Sequence, residues 1–201
     1  KSLEKKYKKP LSLLVQENFY QSLGATRTTY LPLEKFKENE IVPTENDEYF
    51  RHQLLHGYVH DMGAAMQGGV GGHAGLFSNA NDVAKIMQMY LQKGFYGGKR
   101  YFKTETIDKF NTCYYCESDN RRGIGFDKPQ LGEEGPTCGC ISMTSFGHSG
   151  FTGTYAWADP EEEIVYVFLA NRTYPEAGKN LLLRENIRTE IQRLIYEAII
   201  D

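Results

Sequence analysis

The stretch Phe146-Gly147-His148-Ser149-Gly150-Phe151-Thr152-Gly153-Thr154 decides the fold, because it leads small, flexible residues directly into a hairpin pattern. Two runs rich in β-branched and aromatic residues follow, at positions 154–157 and 164–170. The turn signal Asp159-Pro160-Glu161-Glu162 separates them, so the pattern predicts an antiparallel hairpin. The second run is apolar throughout, which is typical of a strand covered on both faces.

Helical periodicity flanks this hairpin on both sides. Apolar residues at three- and four-residue steps predict helices over residues 10–24, from Ser78 to Gly94, over residues 104–110 and from Leu183 onward. Ser78 stands where a helix N-cap is expected, and Gly94 where a helix ends. The order of helices, sheet and helix predicts an α+β fold in which helices flank an antiparallel sheet.

Length and charge exclude several classes of protein. The chain has 201 residues, of which 40% are hydrophobic, enough to bury a core of its own. Its 23 Lys and Arg against 26 Asp and Glu give a net charge of −3, so we expect no nucleic-acid partner. The longest apolar run is far shorter than the roughly 20 residues of a membrane span, and no export leader is visible. We therefore expect no membrane span.

The stretch around His148 also suggests chemistry. Small residues on an edge strand let a substrate backbone lie against the strand, and one exposed N–H there can donate to an oxyanion. The alternative is a glycine-rich strand entrance with a surface histidine. From this stretch alone, both interpretations stay open.

A resemblance to a known family narrows the choice. His148-Ser149-Gly150 ahead of a hairpin, with Gly72-His73-Ala74-Gly75-Leu76-Phe77-Ser78 leading into a helix, resembles the penicillin-recognising serine hydrolases. These are the class C β-lactamases, the D,D-peptidases and their esterase relatives. Leu23-Gly24 at a helix end and Asn171-Arg172 after the last strand fit the same family. The closest resemblance is to β-lactamase-like domains fused behind family-three glycoside hydrolases.

The resemblance implies a fold and a location as well as a site. The fold is a partial β-lactamase/transpeptidase-like sandwich, and the location is the bacterial periplasm or cell surface. His148 would hold the substrate carboxylate or assist proton movement, and Ser149 would hydrogen-bond that carboxylate. Gly150 would permit close approach, and the Phe151 N–H would be one of two oxyanion donors. Three further residues are expected to contact the substrate: Thr152, Gly153 and His73.

The family's nucleophile has no convincing counterpart in this sequence. That nucleophile is the serine of Ser-x-x-Lys, activated by the lysine and by the tyrosine of Tyr-x-Asn or Tyr-x-Ser. Ser2-Leu3-Glu4-Lys5 and Tyr20-Gln21-Ser22 match the letters, but their places relative to the first long helix differ from the family's. We interpret both matches as chance.

We therefore expect residues 1–201 to form one domain that is incomplete on its amino-terminal side and inactive alone. Its parent would be an acyl-serine hydrolase that acts on a β-lactam, a cell-wall peptide or an ester, without a catalytic cofactor. The alternative is a non-catalytic domain that binds cell-wall peptide or glycan, or a structural appendage of a larger glycosidase. Missing sheet neighbours would also leave an exposed edge at positions 164–170 or beside it, which favours self-association.

Four cysteines form two close pairs, Cys113-Tyr-Tyr-Cys116 and Cys138-Gly-Cys140. Two thiolates from each pair can hold one tetrahedral ion, so structural zinc is one interpretation. Disulfides are the other, and there we expect crosswise pairing in preference to a Cys138–Cys140 bridge. In either case the cysteines would staple a loop beside the site and take no part in catalysis.

Overall fold

The computed structural model describes residues 1–118, 120–130, 135–178 and 180–199. Two compact units make up the chain: Lys1–Val83 with Asn171–Lys179, and Ala84–Ala170 with Asn180–Asp201. Both contain helices and antiparallel strands, which confirms the predicted α+β class. No helix in the described ranges is long and apolar enough to cross a membrane. That residues 1–201 are one domain, incomplete on its amino-terminal side, stays a prediction.

The first unit opens with two helices. α1 spans Ser2–Tyr7; α2, Leu11–Val15, continues through a π-helical turn at Gln16–Tyr20 into α3, Gln21–Leu23. Gly24 ends this continuous helix in the left-handed conformation, with φ of 65°. Glycine adopts that conformation without a Cβ clash, so the helix predicted over residues 10–24 is confirmed with its cap.

A hairpin and a returning segment complete the first unit. β1, Pro43–Asp47, pairs antiparallel with β2, Gln53–His56, and the short helix α4, Met62–Met66, follows. The chain returns much later, where the Asn171 side chain donates to the Pro43 carbonyl and the buried Thr173 hydroxyl donates to the Thr44 carbonyl at 2.8 Å. The Asn171-Arg172 pair therefore marks the point at which the chain re-enters this unit.

The predicted middle helix is confirmed, but its cap differs. α5 spans Ala80–Leu91, and the Asn79 side chain accepts a hydrogen bond from the Asp82 N–H at 2.9 Å. Asn79, not Ser78, is thus the N-cap, because the Ser78 hydroxyl is engaged by the Thr28 hydroxyl at 2.8 Å. Three short elements follow: β3, Phe95–Tyr96; β4, Lys99–Arg100; and α6, Thr104–Asn111.

The second unit is built on a three-stranded antiparallel sheet. Its strands are β5, Phe146–Ser149; β6, Tyr155–Asp159; and β7, Ile164–Phe168, in the order β5-β6-β7. The predicted hairpin is β6 and β7, in the register Trp157 opposite Tyr166. Within the described part of the chain β7 pairs with β6 alone and lies at the sheet edge.

Aromatic side chains cover both faces of this sheet. On one face the buried residues Tyr155, Trp157 and Tyr166 pack with Ile191 and Ile195 of the carboxy-terminal helix. On the other face the Phe146 ring lies 5.1 Å from Phe126, which lies 5.1 Å from Tyr90 of α5. Buried aromatic rings contribute large apolar areas, so these contacts hold β5 firmly between two layers.

The closing helix is interrupted, unlike the single helix predicted from Leu183. α7 spans Leu181–Arg184 and α8 spans Ile187–Glu197, and Asn186 between them has a left-handed φ of 49°. Asparagine tolerates this conformation better than most residues, so the helix is interrupted there.

Asp159 fastens α8 to the sheet. Its carboxylate accepts hydrogen bonds from the Ser142 N–H at 2.8 Å, the Ser142 hydroxyl, the Glu161 N–H at 3.1 Å and the Tyr196 hydroxyl at 2.7 Å. Burial works to raise the pKa of Asp159, but the hydrogen bonds outweigh it and the pKa lies below its ordinary value. The charged carboxylate is therefore the form that stabilises the fold.

We expect Asp159→Asn to lower the free energy of unfolding by about 2 kcal/mol near neutral pH, because it removes charge-assisted hydrogen bonds. A carboxyl with a lowered folded-state pKa stabilises above its unfolded pKa, and this contribution is lost as pH falls through the folded pKa. The gap between wild type and variant should therefore shrink in acid. Urea unfolding at several pH values measures it, with the exposed Glu162→Gln as control. An equal gap at all pH values would contradict this role.

Candidate active site

β5 turns alternate backbone groups toward opposite sides. On the side away from β6, the Gly147 N–H donates to the Asp127 carbonyl at 3.1 Å, and the Asp127 N–H donates to the Gly147 carbonyl at 2.8 Å. Gly150 points the other way, and its N–H donates to the Thr154 carbonyl at 2.8 Å. Because backbone groups alternate along a strand, Ser149 faces the same side as Gly147. Along the outer edge of β5, Gly147 is therefore paired with Asp127, and the next outward-facing residue is Ser149.

A tight turn carries the rest of the predicted motif. Gly153, with φ of 104°, donates its N–H to the Gly150 carbonyl at 3.1 Å. The Thr154 carbonyl also accepts from Arg188 Nη1 at 3.3 Å, which fixes the end of the turn. Phe151 and Thr152 lie within it, and the Phe151 side chain is 62% exposed. The structure therefore places His148 to Gly153 on one strand end and one turn.

Close packing explains the glycines of this motif. A Cβ on Gly147 would lie 2.3 Å from the Trp157 ring, and one on Gly150 would lie 2.2 Å from the Thr154 hydroxyl oxygen. A Cβ on Gly153 would lie 3.1 Å from the Ala170 carbonyl oxygen, in a backbone conformation that side chains rarely adopt. Gly147 and Gly153 therefore have a structural reason for lacking a side chain, beside any functional one, whereas the close neighbour of Gly150 is the end of the Thr154 side chain.

Three charged residues accompany His148. The Asp127 carboxylate, whose side chain is 3% exposed, pairs with Arg121 at 3.0 Å and with Arg122 at 2.9 Å. The same Arg122 Nη1 lies 3.4 Å from His148 Nε2. Sequence reasoning missed this cluster because Arg122 precedes His148 by 26 positions, in a segment without helix or strand periodicity. The adjacent arginines were the one available signal.

His73 is held within the first unit. Its Nε2 lies 3.0 Å from the Asp61 carboxylate, which also caps α4 by accepting the Ala64 N–H at 2.7 Å. The hydrogen bond from the Ala64 N–H lowers the pKa of Asp61 most, and the hydrogen bond with His73 lowers it further. About half of the His73 side chain is exposed. Its expected role in lining the substrate cleft stays a prediction.

The two nucleophile-like motifs lie in surface helices. Ser2 and Lys5 are both exposed on α1, and Tyr20 ends the π-helical turn. A lysine that activates a serine is held in a desolvated setting. Lys5 is exposed. That both motif matches are chance stays a prediction.

The cysteines are paired differently from the expectation. Cys113 is bonded to Cys116, and Cys138 to Cys140, so each bridge closes within its own pair. The expected crosswise pairing is therefore wrong. Within each pair the Cα atoms lie close enough for a disulfide, at 5.6 and 5.2 Å. The sulfur atoms are bonded to each other rather than arranged around an ion. Zinc binding by the reduced thiols stays a prediction.

Comparison with known proteins decides the family. The β-lactamase family model matches residues 2–188. The chain belongs to the β-lactamase family. A protein of Escherichia coli K12 named "Putative D-alanyl-D-alanine carboxypeptidase" is 37% identical over 178 residues, covering 82% of this chain and 41% of that protein. A protein of the same name from Salmonella enteritidis is 34% identical over the same span. The chain thus covers less than half of these family members.

Solved structures show the same fold. A β-lactamase from Mycobacterium bovis matches with a TM-score of 0.60 at 16% identity, over 98% of this chain and 58% of that one. Unliganded simvastatin synthase from Aspergillus terreus matches with a TM-score of 0.66 at 15% identity, over 98% and 52%. Both likenesses confirm the predicted β-lactamase-like α+β architecture. Fusion behind a glycoside hydrolase stays a prediction.

We expect Gly147→Ala to destabilise the fold by about 2 kcal/mol or more, because the added methyl group overlaps the Trp157 ring and the Ala156 carbonyl. Trp157 is the single tryptophan of the chain, so its fluorescence reports both the unfolding midpoint and any local shift. Gly125→Ala is the matched control, since nothing lies within 4 Å of the added Cβ there. Equal stability of the two variants would contradict the close contact.

Proposed function

We propose that this chain supplies the third motif and the oxyanion edge of an acyl-serine hydrolase whose substrate is a peptide ending in D-alanyl-D-alanine. The observation that supports this proposal is the outer edge of β5 at Ser149, beyond the pair of Gly147 with Asp127. A substrate backbone can lie against that edge. The substrate follows from the named family members and from the resemblance. β-Lactams and simple esters share the reacting carbonyl and serve as probes.

The proposed chemistry is acyl transfer through a serine supplied by polypeptide outside these residues. The serine hydroxyl gives its proton to a base outside these residues as its oxygen attacks the carbonyl carbon. The bond to the leaving amine breaks as that proton passes to the amine, and water then hydrolyses the acyl-enzyme, which releases the acid and restores the serine. The Phe151 N–H would donate to the oxyanion that forms in each step. Backbone donors fixed by the Gly150–Thr154 pair need little reorganisation, which favours the transition state over the substrate.

This assignment predicts how activity depends on the length of the polypeptide. A longer polypeptide that carries Ser-x-x-Lys and Tyr-x-Asn or Tyr-x-Ser upstream should hydrolyse nitrocefin, a p-nitrophenyl ester or a D-alanyl-D-alanine peptide, whereas residues 1–201 alone should not. Phe151→Pro in the longer polypeptide removes the N–H and should lower kcat about 100- to 1,000-fold. Phe151→Ala is the matched control, since it retains the N–H.

Turnover by residues 1–201 alone would place the nucleophile within this chain and overturn the assignment. No acyl-enzyme in the longer polypeptide, together with binding of cell-wall peptide or glycan, would favour a non-catalytic domain instead. Equal kcat for Phe151→Pro and Phe151→Ala would remove Phe151 from the oxyanion site.

Self-association of the chain is expected from the position of β7 at the edge of its sheet. β7 is apolar along its length and pairs with β6 alone among the described residues, and the neighbouring Leu169 is exposed. Such an edge offers backbone groups to a second strand. We expect light scattering to show dimers or larger species that increase with concentration, and fewer of them for Leu169→Lys. A clean monomer at high concentration would contradict this expectation.

A further inference from the structure

A groove lies at the end of β6 that is remote from the candidate active site. β6 pairs with Ser149 of β5 at its first residue, Tyr155, and ends at Asp159. At the Asp159 end, the Tyr196 hydroxyl donates to the Asp159 carboxylate at 2.7 Å, and Tyr196 lines an open groove of about 940 Å³. A groove of this size has room for a small molecule.

Both cysteines of one disulfide line this groove. Cys138 is half-buried, whereas Cys140 is exposed. Cys113 and Cys116, which form the other disulfide, are both half-buried. A thiolate that exchanges with a disulfide must first reach one of its sulfur atoms. Cys140 is therefore the cysteine most open to attack.

Backbone contacts favour departure of the Cys138 sulfur. The Cys140 N–H donates to Cys138 Sγ at 3.3 Å, and a hydrogen bond to a thiolate stabilises its negative charge. The Cys138 N–H in turn donates to the side-chain oxygen of the buried Gln192 at 3.1 Å, which holds Cys138 against α8. Access at Cys140 and stabilisation at Cys138 thus give the exchange one direction.

The charged side chains of the groove leave it negative. Among the described lining residues, Arg193 contributes one positive charge and Glu162 and Glu197 contribute two negative charges, so 1 − 2 gives −1. The Arg193 guanidinium is also paired with Glu190 at 2.8 Å and with Glu197, so two carboxylates already engage it. A negatively charged cleft concentrates cations and repels anions.

We propose that the Cys138–Cys140 bridge is a thiol–disulfide exchange site for low-molecular-weight thiols that carry a positive charge. The thiolate of such a thiol attacks Cys140 Sγ. The bond between the two protein sulfurs breaks, and its electron pair stays on Cys138 Sγ as a thiolate. The product is a mixed disulfide between Cys140 and the small thiol. This activity goes beyond the proposed acyl transfer and uses none of its residues.

A second molecule of the thiol completes the exchange. Its thiolate attacks the small-thiol sulfur of the mixed disulfide, and Cys140 leaves as a thiolate. Two small thiols are thereby oxidised to their disulfide, and the protein bridge is reduced by two electrons. The two protons that the small thiols lost pass through water to the two protein thiolates.

Competition between the two bridges of one molecule tests the proposal. Folded residues 1–201 are treated with cysteamine, quenched at intervals by alkylation, and mapped by peptide mass spectrometry. We expect Cys138–Cys140 to open about tenfold or more faster than Cys113–Cys116, which is the internal control. Equal rates, or faster opening of Cys113–Cys116, would overturn the proposal.

Two thiols that differ in charge test the selectivity of the groove. Cysteamine carries an ammonium group where 2-mercaptoethanol carries a hydroxyl, and each rate is divided by that of the same thiol with a small neutral disulfide. We expect the normalised rate of cysteamine to be about threefold higher at low salt and to approach that of 2-mercaptoethanol at high salt. Glu162→Gln should reduce this preference, whereas Glu105→Gln, exposed on α6 and not among the residues that line the groove, should retain it. Equal normalised rates at low salt would overturn the selection by charge.

Single substitutions test which sulfur is attacked. Cys138→Ser leaves Cys140 as a thiol, and Cys140→Ser leaves Cys138. We expect cystamine, the disulfide of cysteamine, to label Cys140 about tenfold faster than Cys138. Equal labelling, or faster labelling of Cys138, in variants that retain the fluorescence of folded Trp157 would overturn attack at Cys140. The competition in the wild-type chain needs no substitution, so it decides the proposal even if a variant unfolds.

Discussion

The backbone pair between Asp127 and Gly147 is the interaction on which the site depends. It caps the first part of the outer β5 edge and leaves Ser149 facing outward beyond it. It also brings the Asp127 carboxylate to the strand, where it holds Arg122 next to His148. The pairing of the Asp127 loop with β5 therefore sets both the backbone geometry of the candidate site and the position of the Arg122 charge.

Packing makes that contact rigid. β5 is held between the aromatic contacts of Phe126 on one face and the Trp157 layer against α8 on the other. Asp159 links the same sheet to α8 through Tyr196. Gly147 has no room for a Cβ beside Trp157, so β5 is closely packed against the core. A site on such a strand keeps its backbone groups oriented before any substrate binds.

Sequence reasoning succeeded where the signal was local. The β6–β7 hairpin and the helix that ends at Gly24 follow from periodicity and turn residues alone, and both are confirmed. It failed where the answer depended on contacts. Asn79 replaces Ser78 as a cap because Thr28 engages Ser78, and local turns, not spacing rules, decide how the cysteines pair. The Arg122 contact with His148 spans 26 positions, so helix or strand periodicity cannot predict it.

In the proposed function, the turn after β5 faces the reacting carbonyl. The most direct measurement is a crystal structure of the longer polypeptide acylated by a slow substrate. We predict an acyl carbonyl oxygen about 3 Å from the Phe151 nitrogen, with the acyl chain along the β5 edge beyond Gly147. An acyl group bound away from this edge, or another protein strand paired with the edge at Ser149, would contradict this placement of the substrate.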